Sequence, residues 1–140
     1  MHKTGRVRLY VMLASILLFI ASLTQTAYYV SNANDGECPA FLALLTGWVG
    51  LGIGGQLAWL ANPLLLLSWI FYMRKKKAAL YTSMGALLVA ISFTFYREIV
   101  INEAGTMGDI TGYGRGYFLW LASIGLMAAA TIITRLTSHD

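Results

Sequence analysis

The stretch PAFLALLTGWVGLGIGGQLAWLANPLLLLSWIFYM, residues 39–73, contains no charged side chain. As one helix rising 1.5 Å per residue, its 35 residues would reach about 52 Å, against a bilayer core about 30 Å thick. Two crossings would place the basic run that follows, Arg74-Lys75-Lys76-Lys77, on the same side as Asp35 and Glu37. That arrangement opposes the bias of Lys and Arg toward the cytoplasmic side of membrane proteins. The glycines resolve the conflict. Gly47, Gly50, Gly52, Gly54 and Gly55 fall close together, and each weakens a helix interior by about 1 kcal/mol relative to alanine. Residues 39–55 therefore read as an interfacial or re-entrant segment on the outer side, and 57–73 as a single span. Within that span Asn62-Pro63 has the form of an N-cap followed by proline at the first helical position.

Three further uncharged runs lie outward from this stretch, at 9–30, 78–96 and 117–134. Each is long enough to cross a bilayer. The first exceeds the roughly 7–15 apolar residues of a secretory signal, so it reads as a retained helix. The expectation is an all-α membrane protein, with four transmembrane helices in an antiparallel bundle forming a single domain over residues 1–140. Residues 31–38 and 97–116 are then outer loops. Composition agrees: 58% of the residues are hydrophobic and 11% charged, where a soluble domain carries about a quarter charged.

Charge sets the orientation. Lys3, Arg6, Arg8, Arg74, Lys75, Lys76, Lys77 and Arg135 lie at one end of these spans, whereas Asp35, Glu37, Glu98, Glu103 and Asp109 lie at the other. The positive-inside bias places both termini in the cytoplasm and the acidic loops outside, in a bacterial inner membrane. The basic residues also account for the net charge of +4 as anchors beside anionic lipid. Nucleic-acid binding would need basic residues interleaved with exposed aromatics, a pattern this chain lacks.

The candidate chemistry is sparse. No ionisable residue interrupts a span, Cys38 is the single cysteine, and His2 and His139 sit at opposite ends. No catalytic constellation, metal site or cofactor is expected. In topology and size the chain resembles the small four-helix multidrug transporters, but their first helix carries a glutamate where this one offers only Thr24, Gln25 and Thr26.

Two functional readings follow. The first is a non-enzymatic interaction protein, such as an accessory subunit or an immunity or defence-type protein, that meets a membrane or periplasmic partner. Its surface would be the long outer loop with Arg97, Glu98, Glu103, Asp109, Tyr113 and Arg115, of which Tyr and Arg are types enriched in binding hot spots. The alternative is a homo-oligomeric pore or small transporter. Gln25, Gln56 and Asn62 would then supply polar groups at depth, and Gly50-x-x-x-Gly54 a close-packing face. Trp48, Trp59, Trp69 and Trp120 read as interfacial anchors.

Overall fold

The structure is a computed structural model that describes residues 3–30, 37–46, 57–96, 98–100 and 107–137. Helix α1 (Lys3–Leu23) leads into strand β1 (Thr26–Val30), strand β2 (Glu37–Pro39) and the short helix α2 (Ala40–Thr46). A 3-10 turn, Leu57–Leu60, opens onto α3 (Ala61–Met73), and a tight turn connects it to α4 (Ala78–Ser92). Strands β3 (Glu98–Val100) and β4 (Met107–Tyr113) precede the last helix, α5 (Arg115–Thr137). The described chain is mostly helical. Three segments are long and apolar enough to cross a membrane, Gly5–Leu23, Ala78–Phe95 and Arg115–Thr137; Leu57–Met73 is apolar but shorter.

Packing differs from that of a soluble protein in its buried hydroxyls and exposed large apolar side chains. Ser15, Ser68, Ser83 and Ser123 are fully buried, while Leu17, Leu88 and Phe95 are 66%, 66% and 79% exposed. Small hydroxyl residues let helices approach closely and bond across the interface, which is how helices associate where the surroundings are as apolar as leucine. Between α1 and α5, the Ser15 and Ser123 hydroxyls lie 3.0 Å apart, and Ser123 Oγ donates to the Ser15 carbonyl at 2.7 Å. Trp69 Nε1, on α3, donates to Ser15 Oγ at 2.9 Å. Ser83 and Thr131 form a second hydroxyl pair, between α4 and α5. Ala61, Leu65, Ala86, Ala90, Ile124 and Met127 fill the space between these contacts.

A four-stranded antiparallel sheet in the order β2-β1-β4-β3 covers one end of the helices. This departs from the all-α expectation. Residues 26–30 do not extend the first helix, which stops at Leu23; Thr26-Ala27-Tyr28-Tyr29-Val30 is instead a strand. Its β-branched and aromatic residues fit a half-buried pleated surface better than a helix end. The segment 107–113, read as a loop, pairs with β1: Tyr28 faces Tyr113, Tyr29 faces Gly112 and Val30 faces Ile110. Residues 57–73, 78–96 and 117–134 are helical as expected, each end shifting by a few residues. Of the expected interfacial segment, 40–46 is helix α2, and residues 47–56 lie outside the described residues.

Candidate functional site

The junction between sheet and helices is built around Phe93, in the 3-10 turn Phe93–Phe95 that ends α4. Its ring lies 5.4 Å from Tyr28, 5.4 Å from Tyr96, 5.6 Å from Tyr113 and 5.6 Å from Tyr117. Tyr113 and Tyr117 stand 4.9 Å apart. Such aromatic pairs contribute about 0.5–1.5 kcal/mol each beyond their buried area. The phenols are used as well: Tyr113 donates to the Phe93 carbonyl at 3.2 Å, and Tyr117 to the Ala90 carbonyl at 3.1 Å. Tyr96 accepts the Ala58 backbone N–H at 3.1 Å, satisfying one of the donors left open at the start of a helical segment. Burial pushes the Tyr113 phenol above its ordinary pKa.

Two glycines let the sheet sit this low. A Cβ on Gly114 would run into the Thr26 carbonyl oxygen, and one on Gly116 would lie 2.8 Å from Thr26 O and 2.9 Å from Gln25 O. The start of α5 thereby meets carbonyls just past the end of α1, and the Ser22 carbonyl within it, 3.0 Å from a Cβ on Gly116, an approach favoured by the opposite partial charges of the two helix ends. Gly114 N–H also donates to the Ala27 carbonyl at 3.0 Å. In this part of the glycine-rich segment, glycine provides close approach rather than slack.

Beneath the sheet lies a cavity of about 100 Å³, walled by Phe19, Tyr28, Trp59, Asn62, Phe93, Tyr96, Tyr117 and Trp120 among others. Its polar groups bond to the wall itself. Trp120 Nε1 donates to Asn62 Oδ1 at 2.8 Å, and Trp59 Nε1 to the Leu44 carbonyl at 2.8 Å.

The residues singled out from the sequence are dispersed by this geometry. Tyr113 is tied into the aromatic cluster, while Arg115 is exposed as the first residue of α5. Asp109 is exposed on β4, opposite Glu98 of β3. Arg97, Glu103, Gln56, Gly50, Gly54 and Trp48 lie outside the described residues. Gln25 falls in the turn after α1 and donates to Thr24 Oγ1 at 3.2 Å. Asn62 does not act as an N-cap. The helix begins at Ala61 with Leu60 before it and no side-chain cap, and the Asn62 amide receives Trp120 instead. The anchor reading also fails for Trp69, which stacks edge-on with Phe19 at 5.7 Å and bonds Ser15 among the packed helices.

Sequence reasoning did not place Tyr29 among the binding residues. It is 41% exposed between buried Tyr28 and Val30, on the sheet face directed away from the helices. The signal was the alternation in residues 26–30, which is short enough to be hidden by the helix before it. No protein-family model, curated protein or solved structure matches this chain.

Proposed function

We propose that this chain is a four-pass membrane protein that works without catalysis, by presenting the outward face of its sheet to a membrane or periplasmic protein partner. The fourth pass is Leu57–Met73. Four residues of 3-10 turn and thirteen of α-helix extend about 28 Å, close to the core thickness. With the basic turn 74–77 in the cytoplasm, both termini are cytoplasmic and the sheet is outside, in a bacterial inner membrane.

One observation supports the interaction reading above the others. The exposed residues Tyr29, Asp109 and Thr111 stand on a sheet whose other face is fixed to the helices by Phe93, Tyr113 and Tyr117. A surface held rigid before contact loses less entropy when a partner docks. Arg115, at the margin, completes a set with an aromatic, an acid, a hydroxyl and a cation.

A photo-crosslinking amino acid placed singly at Tyr29, Thr111 and Leu17 in cells tests this. The expected result is one discrete adduct from positions 29 and 111, none from the lipid-facing position 17, and loss of the adduct in Arg115→Ala. Equal labelling at all three positions, or labelling at 17 alone, would rule the reading out. An adduct at twice the chain mass would make the partner a second copy, which is the arrangement the pore alternative requires.

A further inference from the structure

The other end of the helices carries a second cavity, of about 240 Å³, between α1, the α3–α4 turn and α5. Arg8, Lys75, Lys76, Lys77 and Arg135 line it, and among the described residues no acidic one does. A site needs only about 10–15 Å³ to lodge one water, so this one has room for a polyatomic anion. Two details suggest that it is built rather than accidental. Arg8 is fixed: its Nη1 donates to the Tyr72 carbonyl at 3.0 Å and its guanidinium lies 5.0 Å from the Tyr72 ring centroid. Its Nε is enclosed by the protein and has no acceptor among the described residues, so only the outer N–H groups of the guanidinium can reach the cavity.

The second detail is the turn. Lys75 N–H bonds Tyr72 O and Lys76 N–H bonds Phe71 O, the paired bonds of a Schellman cap. The residue after the cap must take the left-handed conformation, and here it is Lys75 at φ 58° rather than the glycine that would take it freely. A lysine in this conformation, where glycine would carry no strain, points to a use for its charge there. The start of α4 adds the positive end of a helix dipole.

We propose that this cavity binds a phosphate-bearing anion, with Arg8 and the Lys75–Lys77 turn as its ligands. The phosphate belongs either to an anionic lipid headgroup, a source that rests on the membrane-spanning reading, or to a free phosphate, which does not. The inference is independent of what the outer sheet does.

Calorimetric titration of the purified full chain in detergent tests it, using dihexanoyl phosphatidylglycerol, dihexanoyl phosphatidylcholine and inorganic phosphate as probes. Saturable binding of phosphatidylglycerol or of inorganic phosphate is expected. Loss of a hydrogen bond to a charged group should weaken binding at least about tenfold in Arg8→Gln. Lys75→Gly should also bind more weakly while melting no lower than wild type, since glycine suits the turn. It therefore stays informative if Arg8→Gln fails to fold. Arg6→Gln and Arg74→Gln, which remove exposed cations from the same end without touching the cavity wall, should bind within twofold of wild type.

Displacement of the lipid by inorganic phosphate would show that the phosphate group suffices. Lipid binding that phosphate does not disturb would assign the site to a headgroup held with its acyl chains. Either result upholds the proposal. No saturable binding of either probe, equal binding of phosphatidylcholine and phosphatidylglycerol with no phosphate binding, or equal losses in Arg6→Gln and Arg74→Gln would overturn it.

Discussion

Gly114→Ala is the smallest change that challenges the seat of the sheet. The new methyl would clash with the Thr26 carbonyl oxygen and lie 2.9 Å from the Thr26 carbonyl carbon. Both neighbours are backbone, so no side chain can swing aside, and β1 or the start of α5 must move. Overpacking of this kind costs about 1–3 kcal/mol. The move also endangers the Gly114-to-Ala27 hydrogen bond, whose loss adds about 1 kcal/mol. The stiffer unfolded chain returns roughly 0.4–1 kcal/mol. The net expectation is about 2–3 kcal/mol of destabilisation, or about 30- to 160-fold in the folding equilibrium. SDS-induced unfolding of the purified protein in detergent, followed by tryptophan fluorescence, measures it. Gly125→Ala is the matched control, because a Cβ there meets nothing within 4 Å. That change in mid-helix should be neutral or stabilise by up to about 1 kcal/mol. If Gly114→Ala proved as stable as Gly125→Ala, the close approach of β4 and α5 to the Thr26 carbonyl would be refuted.

Other consequences can be checked with the same unfolding assay. Ser15→Ala removes the acceptor of Trp69 and one half of the pair with Ser123; a double-mutant cycle with Trp69→Phe should give a coupling of about 0.6–1.7 kcal/mol, and a value of zero would deny the bond. Tyr113→Phe keeps the ring against Phe93 and deletes the bond to its carbonyl, so a loss of about 1 kcal/mol is expected. Because burial raises the Tyr113 pKa in the folded state, its stabilisation is fully present below the unfolded phenol pKa of about 10. It is lost as pH rises through the higher folded value. Wild type should therefore lose its advantage over Tyr113→Phe in strong alkali, and a constant difference between the two at all pH values would contradict this cause.

The helices were legible because uncharged runs of 17 or more residues are a strong signal. The strands were not. Thr26–Val30 follows an apolar helix without a charge to mark the change, and only the β-branched and aromatic content of five residues distinguishes it. In β4, Gly108 and Gly112 carry little strand propensity, so pairing with β1 across more than seventy residues of sequence decides the conformation. That kind of information is tertiary and cannot be read locally. The same limit affected the site. Tyr113 looked like a free hot spot because nothing in the sequence reveals Phe93 beside it, and Asn62-Pro63 looked like a cap because Trp120 was out of view. Arg8 and the lysine turn were visible only as topology signals; their convergence on one cavity required the fold.

Strands β1 and β4, more than seventy residues apart in sequence, form one sheet at one end of the helices. Tyr29→Cys with Gly112→Cys, in a Cys38→Ser background, tests it most directly. Residues directly opposite in an antiparallel pair lie about 4.5–5.5 Å apart at Cα, inside the roughly 4.4–6.8 Å range a disulfide accepts. A protease site inserted after Gly105 allows the two fragments to separate in SDS unless the new bond joins them. Mild oxidation of the membrane-inserted protein should keep the fragments together, whereas Tyr29→Cys paired with Leu126→Cys, far down α5, should not. Fragments that part in both variants, with the protein still inserted in the membrane, would contradict the sheet and with it the surface proposed to meet a partner.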